Sequence, residues 1–355
     1  MIKTVKIKKF KGFESLEIND LSTINLLGGK NNAGKTTVLE ALFMFYDRLN
    51  AHVLLRQYGW RGVGEIALQP ETLFSPIFYN FDLNNNISVE ITNEKNYFSS
   101  MSIKYLDDIN NKSITVPGND GKVSADTIAI PNSSLEFIYK DSSASKNTVQ
   151  LTIENNSISL NIKKYEGSVT SAIFLASKIH PNPNENAIRF GELDIKGKAG
   201  SIIEFLKIIE PRILSLSSIT TSNGNSMLYA DIGINIKVPI SYMGDGVSRL
   251  LTILLAIVST KNGVVFIDEI ENGIHYSVLP DVWRVIEQAA IDNNCQIFAT
   301  THSYECLNAA VEGIEAPNNF RYFRLDRSPK DNLVRAKKFD IDSLEIAIDN
   351  GWEVR

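Results

Sequence analysis

Gly29-Lys30-Asn31-Asn32-Ala33-Gly34-Lys35-Thr36-Thr37 has the spacing G-x-x-x-x-G-K-[ST], the pattern of a turn that wraps a phosphate. Glycines free the backbone so that successive N–H groups point inward. A helix opening near Lys35 would add its positive N-terminal end. Lys35 is placed to reach β- and γ-phosphates, and the Thr36 hydroxyl to ligate Mg2+. A second group, Gly263-Val264-Val265-Phe266-Ile267-Asp268-Glu269, reads as a buried parallel strand with two acids at its carboxyl end, the edge where open α/β sheets bind ligands. Asp268 would hold Mg2+ directly or through water, and Glu269 would polarise an attacking water as general base. A third group, Ala299-Thr300-Thr301-His302-Ser303, is a short strand ending in polar residues. His302 could donate to the γ-phosphate there and sense its presence.

The fourth group is Ser241-Tyr242-Met243-Gly244-Asp245-Gly246-Val247-Ser248-Arg249, ahead of an apolar helix. Gly244, Asp245, Gly246 and Ser248 open that helix and make a second anion-binding N-terminus. One chain does not need two phosphate cradles for one nucleotide, so this loop is expected to cap the nucleotide of another subunit. Each group also has a plainer reading. These are a glycine turn, a solvated acidic turn, a loop histidine and an N-capped buried helix.

The elements around these groups follow from periodicity. Val5 and Ile7 alternate with Lys6 and Lys8, a strand with one wet face, and Ser15–Ile18 reads as a second. Thr23–Leu27 is an apolar strand before the glycine turn, and Thr37–Tyr46 has helical spacing. From Ile87 to Lys164, β-prone runs (Ile87–Thr92, Tyr97–Tyr105, Leu135–Tyr139, Val149–Ile153, Ile158–Ile162) alternate with polar clusters. Asn84–Asn86, Asn110-Asn111 and Asn155-Asn156 read as turns, so an inserted antiparallel meander is expected. Beyond it come strands at Ala172–Ala176 and Met227–Val238 and a helix at Ile202–Ile209 stopping before Pro211. The C-terminal third alternates helices (Val247–Ser259, Val278–Ala290, Tyr304–Val311) with strands (Val264–Ile267, Ile297–Ala299). The fold class expected is α/β, with residues 1–50 and 230–355 as core and 51–229 as a β-rich and helical insertion. No internal repeat or long heptad run is visible.

Composition sets the outer limits. The 355 residues correspond to two domains or one carrying an insertion. With 43% hydrophobic and 22% charged residues, disordered and fibrous classes are excluded. A net charge of −5 excludes a bulk polycation, though not a local basic groove. Two cysteines, Cys295 and Cys306, without a metal-binding spacing, argue against a disulfide scaffold or structural zinc. The N-terminus carries no apolar h-region, and the greasy stretch Leu250–Val258 is too short to span a bilayer. A soluble cytoplasmic protein is expected.

In order and wording the chain resembles the ABC-class ATPase heads of SMC and RecF-type proteins. It is most similar to AAA-type bacterial ATPases related to the OLD (overcoming lysogenisation defect) family. The resemblance rests on FKGFESLEINDLSTINLLGGKNNAGKTTVLEALF, YMGDGVSRLLTILLAI, FIDEIENGIHYSVLPDVWRVI, IFATTHSYE and AIDNGWEVR. The motif-bearing ends cover about half of the chain; residues 50–240 resemble the family loosely. The resemblance implies a P-loop ATPase that binds ATP and Mg2+ and dimerises head to tail around two nucleotides. Lys35, Thr36, Asp268 and Glu269 would act in cis and the Gly244–Ser248 loop in trans.

The chain departs from that pattern in three places. Gly244 and Asp245 stand where the ABC signature has Ser and its first Gly, so Ser248 or backbone N–H groups would make the contact in trans. No Q-loop glutamine is placed: Ala172–Ala176 ends in Ser177-Lys178, while Gln57 and Gln69 lie nearer the P-loop. The stretch after His302 is too short for the Toprim nuclease of full OLD proteins, so a nuclease would be a separate chain.

Three functions compete: an ATP-driven switch controlling a separate effector in anti-phage defence, a RecF-like DNA-repair ATPase, and a nucleotide-binding scaffold with little turnover. Lys3, Lys6, Lys8, Lys9 and Lys11 could form a DNA-binding patch or a solvated strand face. His275 could couple two sites or be a surface turn. Trp60 with Arg56 and Arg61 could form a lid, or a loop packed on the β insertion.

Overall fold

The computed structural model describes residues 1–48, 53–63, 69–117, 123–142, 146–154, 157–164, 170–178 and 182–354. β1 (Ile2–Phe10) and β2 (Phe13–Asn19) form an antiparallel hairpin whose alternation puts Val5, Ile7, Leu16 and Ile18 inside. β3 (Ile24–Gly28) is buried along its whole length and enters the glycine turn, from which α1 (Lys35–Tyr46) leaves. α2 (Val53–Trp60) and α3 (Pro70–Leu73) follow. Next come β4 (Ile87–Asn93), β5 (Phe98–Pro117), β6 (Val123–Lys140), β7 (Lys146–Glu154) and β8 (Ser157–Lys164). These build an antiparallel seven-stranded sheet, ordered β2-β1-β4-β5-β6-β7-β8.

β9 (Ala172–Leu175) returns the chain to the core. It leads to α4 (Pro183–Ile195), α5 (Ala199–Leu206) and a three-stranded sheet of β10 (Ser215–Thr220), β11 (Ser226–Asp231) and β12 (Val238–Pro239). The C-terminal part is α6 (Asp245–Ser259), β13 (Val264–Ile267), α7 (Leu279–Asp292), β14 (Gln296–Thr300), α8 (Tyr304–Gly313), β15 (Phe320–Arg327), β16 (Val334–Phe339) and α9 (Ile341–Asp349).

The central sheet has six strands in the order β16-β15-β3-β14-β13-β9, all parallel except the edge strand β16. Burial on both faces explains why β13 reads as an unbroken apolar run, and β3 and β14 as nearly so, instead of alternating. Successive residues enter opposite cores: Val265 and Ile267 join α6, α7 and α8, whereas Val264 and Phe266 join α1 and the seven-stranded sheet. α1 touches both sheets, so Val38 through Tyr46 are all buried and the helix has no wet face. Phe266 meets Phe43 edge-on at 6.0 Å and stacks near Phe298 at 5.6 Å, which fastens α1 to the sheet.

Three expectations need correction. The boundary at residue 51 does not follow the sheets. β1 pairs with β4 (Val5 opposite Ile91), so the N-terminal hairpin belongs to the seven-stranded sheet. β9, inside the expected insertion, pairs in parallel with the core strand β13 (Phe174 opposite Phe266). Asn110-Asn111 is no turn, because β5 runs through it, Asn110 opposite Ile130, to Pro117. Asn84–Asn86 does lie in a turn, and Asn155-Asn156 falls outside the described residues. The stretch Met227–Val238 is two strands, β11 and β12, with a break carrying Gly233 at φ +80.

Candidate functional site

The carboxyl ends of β3, β13, β14 and β9 bring the chemistry together, because parallel neighbours end at one edge. Gly29 turns at φ +124, where a Cβ would meet the Leu325 carbonyl oxygen at 2.4 Å. Asn32 (φ 63) and Gly34 (φ 100) complete the left-handed turn into α1. Lys30, Asn31 and Asn32 are exposed; Ala33 is buried, and Gly34 to Thr37 are partly buried. Lys35 Nζ donates to the carbonyls of Gly29 (2.7 Å) and Lys30 (3.3 Å), lying across the mouth of the turn. Burial lowers its pKa, opposed by Asp268, Glu269 and Glu271.

Asp268 is 6% exposed and held by hydroxyls. Oδ1 accepts from Thr36 Oγ1 (2.8 Å) and Thr300 Oγ1 (2.7 Å), and Oδ2 from Ser177 Oγ (3.0 Å). The same Thr300 oxygen accepts from the Glu269 N–H at 2.8 Å. Glu269 stands at φ 49, a left-handed conformation rare for a non-glycine residue. Its Oε2 accepts from Asn272 Nδ2 (2.9 Å). His302 lies at the same edge, Nδ1 at 3.3 Å from Glu271 Oε1 and 3.8 Å from Glu269 Oε1. Glu271 Oε1 also accepts from Thr301 Oγ1 (2.9 Å) and the His302 N–H (3.0 Å), which orients this loop.

Lys35, Thr36, Asp268, Glu269 and His302 are therefore assembled in one chain. The Gly244–Ser248 loop is held separately. Gly244 (φ 97) precedes α6, the Ser248 hydroxyl donates to the Ile240 carbonyl (3.2 Å), and a Cβ on Gly246 would touch the Gly273 carbonyl at 3.0 Å. Gly244 and Asp245 are exposed, and the hydrogen bonds described for this loop do not reach the P-loop.

Neither glutamine lies at the end of β9. Gln57 is buried under Lys11, whose Nζ it accepts at 2.8 Å, and Gln69 precedes α3. The position is filled by Ser177. A second charged cluster lies beside the P-loop helix. Glu40, fully buried, takes Lys11 Nζ at 2.6 Å on Oε2 and Arg61 on both oxygens (Nε 3.0 Å, Nη2 2.8 Å). Lys11, Gln57, Tyr58, Arg61 and Phe81 line a cleft of about 440 Å³ that Thr37 joins. Trp60 stacks on Phe174 of β9 at 4.1 Å and packs against Phe43 of α1. Arg56 makes a surface pair with Asp47 (3.4 Å). His275 is exposed, bonded to Ser277 Oγ at 2.8 Å. Both cysteines are buried free thiols, and burial pushes the Cys295 thiol up to about 12.

Sequence reasoning named Ser177 and Thr300 at strand ends without giving them a role, and missed Glu40. Ser177 and Thr300 were legible as polar residues ending strands beside the acidic pair. Glu40 was legible as the lone acid in Val38–Tyr46.

A parallel core sheet with this edge has the fold of an ABC-type P-loop ATPase head. The family described as "AAA domain, putative AbiEii toxin, Type IV TA system" matches residues 24–308, and the chain belongs to it. It is 26% identical over 336 residues to an ATP/GTP phosphatase of Helicobacter pylori (strain ATCC 700392 / 26695), covering 86% of each chain. Two solved SMC heads share the fold. One, bound to the C-winged helix domain of ScpA, has a TM-score of 0.50 at 12% identity, covering 98% of this chain and 99% of that one. The other, with an extended coiled coil and bound to the C-terminal domain of ScpA derived from Pyrococcus furiosus, has a TM-score of 0.50 at 11% identity and covers 98% of each. The protein is an ATPase. Among the described residues no helix is long and apolar enough to cross a membrane.

Proposed function

We propose that the chain is a cytoplasmic ATP-driven switch that closes head to tail with a second copy around two ATP molecules and controls a separate effector. The observation that carries this is the division of the phosphate-binding parts. The P-loop and the acidic edge are wired together through Thr36 and Asp268, while a second glycine-turned helix start opens on the exposed Gly244 and Asp245 and, among the described residues, Gly244–Ser248 makes no hydrogen bond to that edge. A second copy supplies what the exposed loop would cap.

Within one head, Gly29 and Asn31 to Thr37 would cradle the phosphates, with Lys35 exchanging carbonyl partners for phosphate oxygens. The nucleoside would extend past Thr37 into the cleft beside Lys11 and Phe81. Hard oxygen donors, the Thr36 hydroxyl and Asp268 carboxylate 2.8 Å apart, fit Mg2+. When bound, Mg2+ supplies charge neutralisation at the triphosphate. Glu269 would orient and deprotonate the attacking water, and His302 would donate to the γ-phosphate. The family's toxin description and the resemblance to OLD-related ATPases support an effector of toxin or Toprim-nuclease type in defence against phage. That step is analogy, since one fold hosts many functions.

Glu269→Gln tests the switch. ATP turnover should fall about 100-fold or more, and light scattering should show dimers that persist only with ATP and Mg2+. A strictly monomeric variant at saturating ATP would sink the reading. The DNA-repair alternative is weakened by the N-terminal lysines. Lys6, Lys8, Lys9 and Lys11 pair with Glu17, Glu90, Glu14 and Glu40 at 3.4, 3.3, 2.9 and 2.6 Å, which leaves little free positive charge for a phosphate backbone.

A further inference from the structure

Arg249, in the first turns of α6, is 8% exposed, and among the described residues it makes no ion pair. Its Nη2 instead donates to two backbone carbonyls, Asp268 at 2.8 Å and Glu269 at 3.3 Å, and its Nε has no hydrogen-bond partner. A buried guanidinium that donates to carbonyls is compensated at longer range, here by the Asp268, Glu271 and Glu269 carboxylates that oppose the effect of its burial. Its carbonyl contacts fall on the residue in the left-handed conformation. Glu269 sits at φ 49, which costs of order 1–2 kcal/mol for a residue with a Cβ. Such a backbone persists only where its surroundings hold it. The Glu269 N–H is held by Thr300 and its carbonyl by Arg249. Thr300 belongs to the sheet, whereas Arg249 immediately follows Ser248 at the start of α6. One of the two clamps therefore moves with the glycine-turned helix.

We propose that Arg249 is a positioning residue for ATP hydrolysis: it holds the Asp268-Glu269 peptide in its strained conformation and carries displacement of α6 to the general base. The inference rests on Glu269 being that base. A second copy's phosphate drawing on Gly244–Ser248 would then set the rate in the head that owns the loop.

A double-mutant cycle tests it. Arg249→Met should lower kcat about 100-fold with KM for ATP within about threefold, and Arg249→Lys, which keeps a donor and the charge, should recover at least a tenth of wild-type kcat. Added to Glu269→Gln in single-turnover assays, Arg249→Met should cost less than about twofold more. Equal losses in both backgrounds, or an unchanged kcat in Arg249→Met, overturns the proposal. An unchanged rate in Glu269→Gln alone would show instead that the general-base assignment fails. Binding of a fluorescent ATP analogue reports folding of each variant, and if Arg249→Met does not fold, Arg249→Lys runs through the same cycle with the same criterion of non-additivity.

Discussion

Asp268, bonded to Thr36 of α1, and Glu40, within α1, are both buried carboxylates, and they are compensated in opposite ways. Asp268 receives three neutral hydroxyls, from Thr36, Thr300 and Ser177. Glu40 receives two cations, Lys11 and Arg61. Neutral donors stabilise a carboxylate without cancelling its charge, so Asp268 remains a place for a cation to bind. Glu40 is already neutralised, and its partners tie together the β1–β2 turn, the end of α2 and the P-loop helix. In the proposed function one carboxylate belongs to the chemistry and the other to the frame beside it. They should therefore respond oppositely when charge is removed.

The largest effect is expected at Asp268. Asp268→Asn keeps the shape and most hydrogen-bonding capacity but removes the charge. Mg2+-dependent ATP turnover should fall about 1,000-fold, roughly 4 kcal/mol of transition-state stabilisation, with the urea midpoint unchanged or raised. Turnover within tenfold of wild type would break the contrast, since Asp268 would then be a structural acid like Glu40.

Glu40→Gln should reverse the pattern. It leaves Lys11 and Arg61 facing each other without a counter-charge. Removing one member of a buried ion network costs about 3–5 kcal/mol. The lower end applies because Arg61 is 50% exposed and can turn into water. Denaturant titration should show this loss of stability, while kcat per folded molecule stays within about threefold of wild type. A variant as stable as wild type but inactive would move Glu40 to the catalytic side.

How far the sequence reached differs between these two regions for a physical reason. The acidic edge was legible because parallel strands buried on both faces announce themselves as apolar runs, and the polar residues ending them must share an edge. Asp268, Glu269 and His302 follow from that rule alone. The Glu40 cluster was not legible. Lys11 lies far in sequence from Gln57 and Arg61, and only the docking of α2 over α1 brings Lys11 and Arg61 to one carboxylate. The boundary of the insertion failed similarly. Whether β1 pairs with a distant β4 depends on edge-strand partnering, which local periodicity does not encode. Asn110-Asn111 failed because asparagine is compatible with a turn but does not impose one; β5 runs on through it in continuous pairing with β6.

The smallest effect is a pH dependence confined to the second cluster. Lys11 faces Glu40 from α1, Gln57 and Arg61 from α2 and its end, and the Phe10 ring at 5.3 Å. Burial lowers its pKa from 10.5 to about 8, with Arg61 adding to the fall and Glu40 opposing it. Between those values the unfolded chain binds more protons than the folded one, so this residue makes stability rise with pH. Below about pH 8 both states are protonated and its contribution is flat. Wild type should therefore gain on Lys11→Met by roughly 1 kcal/mol between pH 8 and 9, read as the difference in urea midpoints. Asp268→Asn, whose site is separate, should show the same rise as wild type. If the wild-type advantage over Lys11→Met falls across that window instead, Lys11 is held charged by Glu40, and the second cluster is a tighter ion pair than its burial implies.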